Sequence, residues 1–253
     1  MCIRDRGWPD WLAPPTPQTD NRMTQTEPSR TSGNRLVELS APGLLLLATI
    51  GIAWAAWSTK AASALEAGAF VTGVICVWLV VRQSIWNFPL GLLNVAAYAW
   101  IFYEYRLYAD SGLQVVYFAL NLIGWYLWLF GGENRTELQV QRTSKREMAF
   151  IAVFIAAATA FLWWLLGKVG GAAKFWDALT TSISLSAQWL QSRKKLECWH
   201  LWILADVIYV PLYISRGLNL TALLYGVFLC MAAMGLLAWQ KSVKTWPIAQ
   251  SSE

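Results

Sequence analysis

Eight stretches of about 20 mostly apolar residues, divided by short polar breaks, constrain this chain more than any other feature. A helix of about 20 residues is what crosses the roughly 30 Å hydrocarbon core of a bilayer. Reading each run between charged residues or Gly/Pro breaks predicts helices over 41–58, 63–82, 86–104, 107–130, 147–167, 175–192, 197–214 and 218–240. Backbone polar groups in lipid must be satisfied within their own segment, so helices are the expected form. The predicted fold class is an all-α membrane protein of about eight transmembrane helices. Composition agrees, with 57% apolar residues and a mean hydropathy of +0.40.

Residues 1–40 are polar and hold Pro14, Pro15, Pro17 and Pro28 among Thr, Gln, Asn and Ser. Such a segment cannot bury enough surface to fold and is expected to be a disordered N-terminal tail, as is the stretch 241–253. A charged start followed by a short apolar stretch and a small-residue cleavage site is not visible, so no cleaved signal peptide is expected. The opening Met1-Cys-Ile-Arg-Asp-Arg6 is what a sequencing adapter encodes when read in frame, which makes residues 1–22 a candidate artefact and Met23 an alternative start.

An even helix count puts both ends on one side. That side carries Arg30, Arg35, Arg82, Arg135, Arg142, Lys145, Arg146, Arg193, Lys194, Lys195, Lys241 and Lys244, twelve cations. The other side carries five: Lys60, Arg106, Lys168, Lys174 and Arg216. The excess marks the cytoplasmic side, so both termini are expected there.

The chain also aligns with itself. A shift of 111 pairs Arg82 with Arg193, Gly124 with Gly235 and Trp128 with Trp239, and a shift of 112 pairs Asn94 with Asp206. The expected architecture is an N-terminal helix over 41–58, a three-helix repeat over 63–130, a linker helix over 147–167 and a second repeat over 175–240. A single linker helix makes the two triplets parallel, an arrangement that places a substrate site between the halves near mid-membrane.

Polar side chains in hydrocarbon are costly, so a stripe of them must face a partner helix or a wet cavity. Asp177, Thr180, Thr181, Ser184 and Gln188 fall on one face of the helix from 175. Gln114, Tyr117, Asn121, Trp125 and Trp128 recur at similar intervals on 107–130. Asn87, Asn94 and Tyr98 lie on 86–104, and Asp206, Tyr209 and Tyr213 on 197–214, where Pro211 is expected to bend the helix. Thr181, Ser182 and Ser186 also suit hydrogen bonding between helices. Trp164, Trp199, Trp202, Trp239 and Tyr103, near helix ends, read as anchors at the membrane interface. Asp206 stands apart, deep in an apolar run with no Lys or Arg one turn away; it calls for a cationic or hydrogen-bonding ligand, or a partner helix. Pro89, Gly91 and Pro211 are candidate hinges.

Several classes of function are disfavoured. The net charge of +5 comes from loops between apolar runs, not from one patch, so no nucleic-acid partner is expected. The four cysteines lack metal-type spacing, and His200 is the single histidine, so neither a metal site nor a histidine relay is predicted. An intramembrane enzyme using Asp177 and Asp206 as acid and base is the remaining catalytic reading, and a receptor or structural protein the remaining non-catalytic one.

The stretches Trp86-Asn-Phe-Pro-Leu-Gly91, Arg106-Leu-Tyr-Ala-Asp110 followed by Gln114, Gly124-Trp-Tyr-Leu-Trp128, Phe175-Trp-Asp177, and Arg193-Lys-Lys followed by Trp199 closely resemble those of the PnuC family of nicotinamide riboside transporters. They run in family order through residues 63–240. The resemblance implies a fold like that of the SWEET sugar transporters, with two three-helix bundles joined by a linker helix (3+1+3). The helix 41–58 precedes that unit. It implies a homotrimer in the bacterial inner membrane. It also implies facilitated diffusion without a cofactor, with a cytoplasmic nicotinamide riboside kinase trapping the substrate for NAD synthesis. No Gly-x-x-x-x-Gly-Lys loop is present, in keeping with uncoupled transport.

That substrate is a flat pyridinium cation with a carboxamide and a ribose, and the stripes hold matching groups. Trp125, Tyr209 and Tyr213 are assigned to stacking. Asn94, Gln114 and Asn121 go to the carboxamide or ribose, Asp177, Thr180 and Gln188 to ribose hydroxyls, and Asp206 to the positive charge. Tyr98, Tyr117 and Ser184 complete the predicted wall. No cation lies on a mid-helix stripe, which favours the riboside over its phosphorylated form. Thiamine or riboflavin on the same fold is the rival reading.

Overall fold

The structure, a computed structural model, describes residues 47–60, 63–104, 108–169, 174–215 and 219–250; the expected tail at 1–40 lies outside them. The described residues form eight α-helices: α1 (Leu47–Ser58), α2 (Ala64–Val81), α3 (Asn87–Glu104), α4 (Tyr108–Phe130), α5 (Lys145–Val169), α6 (Lys174–Ser192), α7 (Cys198–Ser215) and α8 (Asn219–Gln250). Five of them, α2, α4, α5, α7 and α8, are long and apolar enough to cross a membrane. α3 and α6 span 18 and 19 residues, enough length, but carry the most polar stripes and so fall short on composition alone.

Local chemistry sets the helix ends. Ser63 caps α2 through a reciprocal capping box: its hydroxyl accepts from the Glu66 N–H, and the Glu66 carboxylate accepts from the Ser63 N–H. At the other end Gln83 takes a left-handed φ of 55° and the Ser84 N–H reaches back to the Leu79 carbonyl at 2.9 Å. The end of α6 repeats this 111 residues later, with Lys194 at φ 52° and the Lys195 N–H on the Leu190 carbonyl at 2.9 Å. Both are Schellman-type stops made without glycine. α8 runs ten residues past the predicted boundary at 240, through Gln250, into the segment expected to be a tail. No glycine stops it, Val243 packs on the core, and Ser242 accepts from the Gln83 side chain at 2.8 Å.

α2–α3–α4 pack as one triplet and α6–α7–α8 as another, α5 lies on α6, and the triplets meet along α2 with α8 and α4 with α6. Exchanging the triplets maps the first of these contacts onto the second, as a two-fold relation requires. The main core cluster shows the same relation residue by residue. Trp128 donates its indole N–H to the Gln191 carbonyl at 3.1 Å; Trp239 donates to the Val80 carbonyl at 3.2 Å. Phe88 meets Trp128 edge to face at 5.1 Å and Trp199 meets Trp239 likewise at 5.4 Å. Arg82 lies over Trp78 as Arg193 lies over Trp189. Both helical turns sit at the same end of the bundle, so the triplets run parallel.

Residues 136–144 form an extended strap across the α6–α7 turn. The Gln141 N–H bonds the Lys194 carbonyl at 3.1 Å, and the Leu196 N–H returns to the Gln141 carbonyl at 2.9 Å. Leu138 and Val140 of the strap are buried in the main core cluster, and the Glu197 carboxylate accepts from both the N–H and the hydroxyl of Thr143. Arg193 pairs with Glu147 at 2.6 Å.

Candidate functional site

A cavity of about 430 Å³ opens between the triplets, walled by α2, α3, α4, α6, α7 and α8. Its wall follows the repeat. Positions 73, 77, 80, 91, 95, 98, 102, 114, 117 and 121 line it, and so does every position 111 residues later. The alignment that the wall obeys therefore sets Asp206 opposite Val95, one residue from the Asn94 pairing that a shift of 112 gives.

Of the thirteen residues predicted from sequence, Asn94, Tyr98, Gln114, Tyr117, Asn121, Ser184, Gln188, Asp206, Tyr209 and Tyr213 line this cavity. The polar stripes put them there: each sits on the face of its helix turned from lipid. Asn94 is held from behind, its amide N–H₂ donating to the Ala69 carbonyl at 2.6 Å and the Thr72 hydroxyl at 2.9 Å. Asn121 donates to the Tyr117 carbonyl at 2.9 Å, and Gly91 faces its amide oxygen. The hydroxyls of Tyr117 and Tyr209 both face Ser184.

Trp125, Asp177 and Thr180 are not on the wall. Trp125 packs against the main core cluster, one turn past Asn121 toward Trp128. Asp177 lies in the first turn of α6, beyond the cavity. Thr180 is fully buried behind the wall, donating to the Trp176 carbonyl at 2.8 Å and facing the Tyr209 hydroxyl. Its neighbour Thr181 lines the cavity instead. Ser182 and Ser186 bond the carbonyls four residues back in their own helix and so do not join helices; Ser192 does, reaching the Leu120 carbonyl at 3.1 Å.

Sequence reasoning missed Gln191, Trp199, Trp202, Tyr225 and Phe228 on the wall. The repeat itself carried the signal: 111 residues after Gln114 and Tyr117 come Tyr225 and Phe228. Three of the tryptophans read as interface anchors belong to the interior. Trp199 and Trp239 are 1% and 0% exposed, and Trp202 donates to the Gln191 side chain at 2.9 Å on the cavity wall. Trp164 and Tyr103 are exposed, as anchors would be.

The cavity is sealed at the strap end by Trp128, Trp199 and Trp239. Toward the other end Tyr209, Tyr213 and Tyr225 cluster, with ring centroids 4.5–5.6 Å apart. Asp206, 4% exposed, is the one acidic side chain on the wall, and no Lys, Arg or His lines it among the described residues. No group of three His, Cys, Asp or Glu side chains able to hold a metal occurs among them either. Such a cavity can hold a flat polar molecule without phosphate.

Comparison with known proteins gives a consistent set. Residues 63–241 match the family model described as nicotinamide mononucleotide transporter. The chain is 29% identical over 206 residues to the nicotinamide riboside transporter PnuC of Escherichia coli (strain K12), covering 71% of this chain and 86% of that one. It is 28% identical over 212 residues to the protein of the same name from Neisseria mucosa, covering 79% and 80%. The riboflavin/roseoflavin transporter RibM of Streptomyces davaonensis is 27% identical over 175 residues, 67% of this chain and 81% of that one. The crystal structure of the vitamin B3 transporter PnuC superposes with a TM-score of 0.65 at 26% identity, covering 80% of this chain and 92% of that one.

Proposed function

Since the chain belongs to the nicotinamide mononucleotide transporter family, we propose that it carries nicotinamide riboside across the bacterial inner membrane by facilitated diffusion. The observation that carries this reading is the charge of the cavity wall, one carboxylate and no cation among the described residues. A phosphorylated substrate brings at least one negative charge that would need Arg or Lys in a dry site. The riboside brings a single positive charge, which suits Asp206.

Asn94, Gln114 and Asn121 supply amides for the carboxamide or ribose. Ser184 and Gln188 face the ribose hydroxyls, and Tyr98, Tyr117, Tyr209 and Tyr213 offer aromatic faces. The excess of cations at the strap end makes that end and both termini cytoplasmic. A homotrimer and a cytoplasmic kinase that traps the product complete the reading, the kinase replacing any coupling ion.

Riboflavin is the second reading, supported by the likeness to a riboflavin carrier and by the generous cavity volume. Uptake of labelled riboside into proteoliposomes without ATP or ion gradients tests both. Saturable uptake competed by unlabelled riboside, and not by riboflavin, thiamine or the mononucleotide, is the expected result. Uptake of labelled riboflavin in the same vesicles with none of labelled riboside would move the substrate to the flavin, and no flux of either would defeat both readings.

A further inference from the structure

The two repeats line the cavity at equivalent positions with different chemistry, and three of the differences lie together. Where the first repeat has Val95, Phe102 and Gln114, the second has Asp206, Tyr213 and Tyr225. Asp206, Tyr209 and Tyr213 share one face of α7 at i, i+3 and i+7. Tyr225 reaches them from α8, its ring 4.5 Å from Tyr209 and 5.1 Å from Tyr213, while Tyr209 and Tyr213 stack at 5.6 Å. The patch is thus one carboxylate beside three aromatic faces.

That combination has a specific ligand chemistry. Aromatic faces attract cations that cannot donate hydrogen bonds, through the ring quadrupole. An ionised carboxylate nearly removed from solvent is costly unless a cation faces it. On the cavity wall no protein cation does so among the described residues. The first repeat's equivalent positions hold no charge, so the cation-favouring patch occupies one side of the cavity only.

We propose that Asp206, Tyr209, Tyr213 and Tyr225 form a charge-selecting subsite, made by the second repeat alone, that accepts a delocalised organic cation and discriminates against its uncharged form. The proposal rests on the riboside reading. The pyridinium ring lies against this patch, the carboxamide turns to the amides of the first repeat, and the ribose lies between those amides and Ser184 and Gln188 of α6. Tyr225 becomes a specificity residue. The reduced, dihydropyridine riboside has nearly the same shape and hydrogen-bonding groups but no charge, so it isolates the effect.

The test is equilibrium binding of oxidised and reduced riboside to the purified full-length protein, beside Asp206→Asn, which keeps the side-chain shape, and Tyr225→Gln, which installs the first repeat's residue. Wild type is expected to prefer the oxidised riboside by about tenfold or more, and both variants to lose most of that preference while still binding the reduced form. If one variant fails to fold, the other carries the same comparison. Equal wild-type affinity for the two forms, or a preference unchanged in the folded variants, would overturn the subsite and leave riboside transport standing. No saturable binding of either form to wild type would instead remove the riboside reading, and the subsite with it.

Discussion

Replacing Gly235 by alanine should destabilise the protein, although alanine is the better helix former. A Cβ built at 235 meets three atoms of the Trp199 indole at 2.5, 2.5 and 2.6 Å, where carbon atoms in contact settle at about 3.5–4.0 Å. The ring must therefore retreat by about 1 Å. That retreat is resisted: Trp199 is 1% exposed and set edge-on against Trp239, which is itself fully buried and tied to the Val80 carbonyl, so the ring can shift only by repacking toward the cavity it lines. Overpacking of this kind costs about 1–3 kcal/mol, and the helix propensity gained offsets about 1 kcal/mol of it. A net loss of up to about 2 kcal/mol is expected. Gly124→Ala, whose Cβ would meet Phe88 at 2.8 Å, should lose less, and Gly226→Ala, with nothing within 4 Å, should lose nothing. Thermal unfolding in detergent ranks the three. Gly235→Ala unfolding at or above the temperature of Gly226→Ala would refute the packing account of the sealed end.

Trp128→Phe and Trp239→Phe each keep a ring but remove one of two equivalent N–H donors, so each should cost about 0.6–2 kcal/mol, and by similar amounts. Thermal unfolding checks this; a loss confined to one of them would contradict the two-fold relation. Glu197→Gln replaces the acceptor that holds both groups of Thr143, and should loosen the strap. Hydrogen exchange at residues 138–144 should rise while exchange in α2 stays unchanged; exchange unchanged at the strap would contradict its being held there. Burial pulls the Lys194 ammonium below the usual lysine value of 10.5, with Glu137 opposing part of that shift. A folded value below the unfolded one favours the neutral amine, so stability rises as pH climbs through the folded value toward 10.5 and is lost as pH falls back through it. Lys194→Met should flatten that rise in a series of unfolding scans, and an unaltered slope would show that Lys194 does not cause it.

Much of the fold was legible because lipid imposes it. Apolar run lengths predicted all eight helices, and Gly124, Trp128, Gly235 and Trp239 betrayed a repeat whose equivalent hydrogen bonds the structure then displays. Helix ends were legible only to a few residues: α8 continues past Lys241, where Gln83 gives Ser242 a partner. The strap was not legible at all. Its residues have no periodicity, and their order comes from the distant α6–α7 turn.

The polar stripes located the cavity because a polar residue inside lipid has few places to face. They could not separate its wall from the layer behind it: Thr180 and Thr181 are neighbours, yet one supports Tyr209 and the other lines the cavity. Aromatic residues were the harder case. Trp164 at the interface and Trp199 in the core look alike in sequence, and only the packing of Gly235 and Trp239 tells them apart.

The most direct test of the account is an experimental structure of the protein saturated with nicotinamide riboside. The account predicts ligand density in the cavity between the triplets, touching the amides of α3 and α4 on one side and the Asp206 face of α7 on the other. Density at any other place, or an empty cavity at saturating riboside, would contradict it.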